Sequence, residues 1–309
     1  MYCWGAGAAR WLNQGVANRV PTEVGRSCLT PLLSVRGGIA GDFTITMLDE
    51  EHFLMIGSGM AERYHRRFFN AVPRPDSVSL QSITSGWAGF NVAGPSAREL
   101  LGRLTNDDIS NEAFRFMRSR QMTVAGLAAK VLRVSFTGDL GYEIYVPETD
   151  QQALYQALLD AGQELSVRPV GSRALMSLRL EKGYGSWGRE YSPEYWPQEV
   201  GLDRLIKLDK DEDFLGKQAY IELMDQPPRE RLVVMRVDTP HNADPVGGEP
   251  IFSRSGDYIG RVSSGGYSYT TEQGLALGFL KPAYCEPGTA VDVSALGLPH
   301  NGTVLREAP

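Results

Sequence analysis

Between Leu29 and Leu48 apolar and polar residues alternate on both sides of Val35 to Gly38, which predicts two strands joined by a tight turn. Period two places Asp42, Thr44 and Thr46 on one face of the second strand and Phe43, Ile45 and Met47 on the other. HFLMIGSG continues as a further strand, and AERYHRRFFNAV, from Ala61, reads as a basic amphipathic helix with a solvated face. VSLQSITSGWAGFNVAGPSARELLGRL gives strands and then a helix opened by Gly94, Pro95 and Ser96. A second β-rich run ends in FTGDLGYEIYVP, and Leu154, Leu158 and Ala161 mark a core-facing helix from Asp150 to Gly162.

The stretch from Ser177 to Ala219 organises the rest. Apolar Leu175, Met176, Leu178 and Leu180 predict a helix, with Ser172 available as N-cap and Gly183 as the stop. Glu181 then falls in the last turn, where a carboxylate opposes the helix dipole at a cost of about a few tenths of a kcal/mol. Either something outside the helix uses it, or it pairs with Arg173, Arg179 or Lys182. Tyr184, Trp187, Tyr191, Tyr195 and Trp196 follow, which form either a lid on a core or the wall of a flat-ligand pocket. After a short helix and a linker at Gln226 to Glu230, RLVVMRVDTP, EPIFSR, GDYIGRVSSGGYSYT, LALGFLKP and GTAVDVSAL predict a small antiparallel barrel. The fold class is therefore α+β.

Near the start, Gly5 and Gly7 before AARWLNQGV suggest a dinucleotide fingerprint, but the spacing is incomplete and no apolar strand precedes it. A net charge of −6 over 309 residues, with no basic stripe, argues against nucleic-acid partners. Three cysteines, Cys3, Cys28 and Cys285, are not spaced as a disulfide framework, and His52, His65, His241 and His300 are isolated, so no metal site is expected. No apolar run reaches membrane-spanning length and no signal peptide opens the chain, so a cytoplasmic location is expected.

The run from Leu178 to Lys217, with EKGY, a WG two residues on, and GLDRLIKLDKDEDFLGK, resembles the central motif of the aminomethyltransferase (glycine cleavage T-protein) superfamily. Within it, the chain looks most like the folate-binding C-terminal half of dimethylglycine and sarcosine dehydrogenases. GGIxxD ending at Asp42, TGxxGYE, and a barrel segment with Ser263, Ser264 and Gly265 also match, Ser263 replacing the family threonine. Gly57 and Ser58 stand where T-proteins carry an asparagine. The resemblance implies a multi-domain folate-binding fold: residues 1–222 as the folate region, in subdomains of approximately 1–84 and 85–222, and 229–309 as the barrel.

It also implies chemistry. A pterin needs flat walls, a carboxylate for its amino-pyrimidine edge and an acid near the carbon-accepting nitrogens. Asp42 is the expected catalytic acid, and Thr44, Tyr142, Glu181, Tyr184 and Trp187 the expected tetrahydrofolate contacts, with Glu181 on the pterin edge. Tyr142 and Glu143 face opposite ways on a strand; Tyr142 is expected to wall the pocket and Glu143 to support the fold. The carbon would come from demethylation of a methylated glycine-type amine, with FAD confined to a separate flavin dehydrogenase partner, and would leave as 5,10-methylenetetrahydrofolate. Alternatives are a glycine-cleavage aminomethyltransferase served by a lipoyl carrier and a non-catalytic or decayed module.

Two departures accompany the resemblance. Gly185 stands where the dehydrogenase branch has an arginine. The family also carries roughly fifty further residues before this start, by the usual length of such an element pair. On that ground the chain is expected to be the second half of a split protein, the product of a misplaced start, or a decayed copy. A relative that serves iron–sulfur assembly carries a cysteine in KGCYxGQE; here Lys182, Gly183 and Tyr184 lack it.

Overall fold

The computed structural model describes residues 1–240 and 243–309, so His241 lies outside the described residues. The chain forms two compact units, the first comprising residues 1–30, 43–170 and 210–212, the second 31–42, 171–209 and 213–309.

The chain opens with β1 (Tyr2–Trp4), α1 (Ala8–Gly15), β2 (Ser27–Leu33), β3 (Ile39–Asp49), β4 (His52–Ile56), α2 (Glu62–Ala71) and β5 (Ser79–Gln81). The strands order as β2-β3-β4-β1-β5. The expected hairpin is β2 to β3, closed by Ser34 N–H to Gly38 O at 2.8 Å and Gly37 N–H to Ser34 O at 2.9 Å. Alternation along β3 buries Phe43, whose ring meets His65 and Phe69 of α2 edge-on. A strand does precede Gly5: β1 is only three residues long, too short to show a period, yet Cys3 is fully buried. Both its neighbours are antiparallel, so the parallel crossover of a dinucleotide fold is absent from this sheet.

The rest of the first unit is built on β6 (Trp87–Ala93), α3 (Ala97–Gly102), β7 (Ser119–Val124), β8 (Leu127–Leu132), β9 (Gly141–Pro147) and α4 (Gln151–Ala161). The sheet order is β6-β9-β8-β7. Its inner face sends Val131, Tyr142, Ile144 and Val146 against Leu100, Leu101, Leu154 and Leu158 of the two helices.

The second unit holds α5 (Ser172–Lys182), α6 (Lys217–Met224) and six strands, β10 (Arg231–Val237), β11 (Pro250–Ser253), β12 (Tyr258–Ser268), β13 (Gln273–Leu280), β14 (Ala290–Ala295) and β15 (Leu298–Glu307). They close as β10-β13-β12-β11-β14-β15, the expected antiparallel barrel. The closing strand β15 was not anticipated, because Pro299, Asn301 and Gly302 break its alternation. Gly302 is needed there: an added Cβ would meet Val291 Cγ2 at 2.8 Å. α5 stops at Gly183, which takes the left-handed conformation (φ 76°) as expected. Its N-cap is Gly171 rather than Ser172; Ser172 is already helical, so its hydroxyl does not cap. Among the described residues the three cysteines are free, and no helix is long and apolar enough to cross a membrane.

Candidate functional site

The functional stretch is anchored by a buried ion pair. Arg179 of α5 reaches Glu190 Oε2 at 2.9 Å, and both side chains have 0% exposure. Arg179 also donates to Tyr184 O at 2.7 Å and to Ser264 Oγ at 2.6 Å. Glu190 Oε2 accepts the Ser186 amide at 3.0 Å, and its Oε1 accepts Ser263 Oγ at 2.9 Å and Ser264 Oγ at 2.6 Å. Consecutive strand residues normally face opposite ways, but β12 shifts register against β13 between Val262 and Ser264, so both hydroxyls reach one carboxylate. The two serines tie the 184–190 loop to the barrel. Sequence reasoning missed Glu190 altogether. The available signal was Arg179, a lone cation between Leu178 and Leu180 that demands a buried partner.

Glu181, one residue on, does not pair with Arg173, Arg179 or Lys182. Its Oε1 accepts Ser268 Oγ at 2.7 Å and, more weakly, the Thr270 amide at 3.4 Å. Oε2 accepts from no described residue. The carboxylate at the wrong end of the helix dipole is thus used from outside the helix, by the barrel, with one oxygen still open.

Asp42 lies in the same unit, at the end of the 31–42 segment. Its carboxyl is bonded to its own backbone amide and to no other described side chain, and burial pushes it up to about 6. An added Cβ at the neighbouring Gly38 would meet Pro193 O at 2.4 Å, and at Gly37 Leu223 Cδ1 at 2.7 Å. The space is filled by the chain itself, and Ile39 N–H bonds Tyr195 O at 3.1 Å.

The aromatic run divides. Tyr191 and Tyr195 are buried in a core with Ile39, Leu180, Val234 and Phe279, Tyr195 stacking on Phe279 at 3.9 Å. Trp187 is half-buried against that core, and Tyr184 is half-buried, its carbonyl holding Arg179. Burial first, and the Asp42 charge second, push the Tyr191 phenol above its ordinary value. The Tyr191 ring occupies the side-chain space of Gly185, where a Cβ would stand 2.5 Å from it. The missing arginine at Gly185 is therefore coupled to Tyr191.

Thr44 and Tyr142 belong to the first unit. Thr44 is half-buried opposite Ile56. The expectation for Tyr142 is corrected: it has 0% exposure, packs against Phe114 and faces the core with Ile144 and Val146. Alternation gives the other face to Glu143 and Tyr145, and the Tyr145 ring is the one that lines a cavity.

Residues 1–210 match the family model of the GCVT N-terminal domain, and residues 230–309 match the glycine cleavage T-protein C-terminal barrel domain. The chain belongs to the glycine cleavage T-protein family. Mitochondrial dimethylglycine dehydrogenase of Mus musculus is 33% identical over 305 residues, 98% of this chain and 35% of that protein. An aminomethyltransferase of Saccharopolyspora erythraea is 32% identical over 291 residues, 91% of this chain and 76% of that protein. This T-protein family member thus spans only 35% of the length of the dehydrogenase it matches. The glycine cleavage system aminomethyltransferase T of Bartonella henselae shares the fold at TM-score 0.85 and 23% identity, over 100% of this chain and 84% of that one.

Proposed function

We propose that this chain is a tetrahydrofolate-dependent one-carbon acceptor. It takes the carbon released on demethylation of a methylated glycine-type amine and passes it on as 5,10-methylenetetrahydrofolate. The observation that carries the reading is a pair of carboxylates in family motifs that keep acceptor capacity: Asp42, which bonds no other described side chain, and Glu181, whose Oε2 is open.

These residues fit the cofactor. Tetrahydrofolate, when bound, supplies the nitrogens that receive the carbon. Glu181, with its rotamer held by Ser268, accepts the N–H donors of the pterin edge. Tyr184 and Trp187, each half-buried, offer flat surface. Asp42, with its carboxyl near pH 6, stabilises positive charge when ionised and holds a proton when neutral, so it serves as acid and base close to neutrality. Thr44 is placed beside it in sequence on the same strand face.

The carbon is delivered by a separate flavin dehydrogenase in the cytoplasm. EKGY and GSWG, together with the 33% identity to a dimethylglycine dehydrogenase, support that branch. The match to 76% of an aminomethyltransferase favours a second reading, transfer from a lipoyl carrier in glycine cleavage. The two are separated by adding the chain and tetrahydrofolate to a flavoprotein that oxidises dimethylglycine. Free formaldehyde should fall as methylenetetrahydrofolate rises. Unchanged formaldehyde, with turnover restored by an aminomethylated lipoyl carrier, would assign the second reading.

A further inference from the structure

β6 is the outermost strand of the four-stranded sheet, and it lacks the features that keep such strands from pairing. Its sequence, WAGFNVA, holds no charge and no proline, and its register against β9 runs without a bulge. The opposite edge differs. There β7 carries Arg120 and is met by Gly25, whose carbonyl accepts the Ser119 amide at 2.6 Å.

The ladder decides which backbone groups of β6 are free. Gly94 N–H donates to Leu140 O at 2.9 Å, and the same register sets Val92 opposite Tyr142 and Phe90 opposite Ile144, so these residues turn their backbone groups toward β9. Asn91 and Ala93 turn theirs the other way. Both residues are exposed, and their outward N–H and C=O groups bond no described residue.

Beside this edge lies a groove of about 560 Å³. Every residue from Phe90 to Ala97 lines it, so it follows the backbone edge of β6 and not one face of the strand. Tyr155, Leu158 and Leu159 of α4 and residues from the 165–170 segment complete the wall. Phe90 and Val92 share the face on which Tyr142 and Ile144 are fully buried, yet they are only half-buried, with the Tyr155 ring stacked on Phe90 at 6.4 Å. The apolar layer is thus incomplete at this edge. Among the described lining residues Arg168 carries the one charge, and it pairs with no described residue.

A purely apolar ligand would strip water from the four free ladder groups without replacing their hydrogen bonds, whereas an extended peptide restores them. At roughly 30 Å³ per water-sized group, the volume holds on the order of 20 non-hydrogen atoms, about three residues of peptide. Two of the three would exchange bonds with Asn91 and Ala93, and the middle one would face the side of Phe90 and Val92. We propose that β6 accepts a further strand from a partner protein: an extended segment with an apolar residue between the two that bond Asn91 and Ala93, and a carboxylate for Arg168. Neither Asp42 nor Glu181 lines the groove, and the folate reading is not needed for it.

The test follows amide hydrogen exchange and affinity in the full chain with the blocked peptide acetyl-Thr-Val-Thr-Val-Asp-amide. At saturation, exchange at Asn91 and Ala93 should slow at least about 10-fold. N-methylation of both threonines removes the donors facing β6 and should weaken binding at least about 10-fold, whereas N-methylation of both valines, whose N–H groups face away, should leave it unchanged. Replacing the peptide aspartate by asparagine, or Arg168→Gln in the chain, should each cost about 2- to 5-fold, and the two together no more than either alone. Ala93→Pro removes one outward donor and spares the β9 ladder, so it should lose the peptide at an unchanged unfolding midpoint. Unslowed exchange at Asn91 and Ala93, or equal binding of the threonine-methylated peptide, would overturn the proposal. So would decanoate that fills the groove where the peptide does not, which would make it an acyl-chain site, or a dimer of this chain that Ala93→Pro dissociates, which would make β6 a contact between two copies.

Discussion

Arg179 and Glu190, eleven residues apart, form a 2.9 Å ion pair with no solvent access, and the two hydroxyls of the Ser263–Ser264 bulge donate to Glu190 Oε1. This pair holds the loop carrying Tyr184 and Trp187 through Tyr184 O and the Ser186 amide. Position in that loop is set by buried charge, which tolerates little displacement.

Removing one partner leaves the other buried and unpaired. Glu190→Ala or Arg179→Ala should each cost about 3–5 kcal/mol in urea unfolding. The double change Arg179→Met with Glu190→Leu should cost less than either single one, since no charge is stranded. Additive losses would mean the two groups act independently.

Gly185 and Tyr191 compete for one volume. Gly185→Ala should destabilise by about 1–3 kcal/mol through overpacking, and Gly185→Arg should do at least as much. In a Tyr191→Ala background, Gly185→Arg should be far better tolerated. A double-mutant cycle on unfolding midpoints reads this coupling.

Asp42 gives a pH dependence of defined sign. Its folded carboxyl is raised to about 6 while the unfolded one stays near 3.8, so folding favours the protonated form. Stabilisation present at low pH is lost as pH rises through about 4 to 6, by up to about 3 kcal/mol. Asp42→Asn should gain stability relative to wild type by about that amount between pH 4 and pH 7. A constant difference across the range would contradict the burial of this carboxyl.

His65 acts in the opposite direction. Burial lowers it to about 4 from 6.5, so its neutral form is favoured in the fold. The associated stability is present above about pH 6.5 and is lost as pH falls toward 4, by up to about 3 kcal/mol. His65→Leu should flatten that acid limb in denaturant titrations.

Elements governed by local pattern were legible in the sequence. The β2–β3 hairpin and its turn, α5 with its Gly183 stop, and five barrel strands follow from periodicity and turn chemistry. β15 was hidden because its closure depends on partners β10 and β14, not on its own alternation. The candidate site was half legible. Asp42 and Glu181 stood out as acids in unusual positions, and alternation correctly set Tyr142 against Glu143. Which of those two faces the core is decided by the helices that cover the sheet, and this assigned Tyr142 to the core. The contacts between Glu190 and Ser263 or Ser264 span 73 and 74 residues, and no local pattern encodes them. Likewise, the glycines at 37 and 38 are explained only by Leu223 and Pro193, which pack against them.

Calorimetric titration with a stable reduced folate, on the wild type and on Asp42→Ala and Glu181→Ala, tests the central claim most directly. Micromolar binding, about 8 kcal/mol, is expected for the wild type. Glu181→Ala should lose about 1.5–3 kcal/mol of it with the lost charge-assisted hydrogen bond. A folded wild type that takes up no reduced folate, or a Glu181→Ala variant that binds it equally well, would contradict the account.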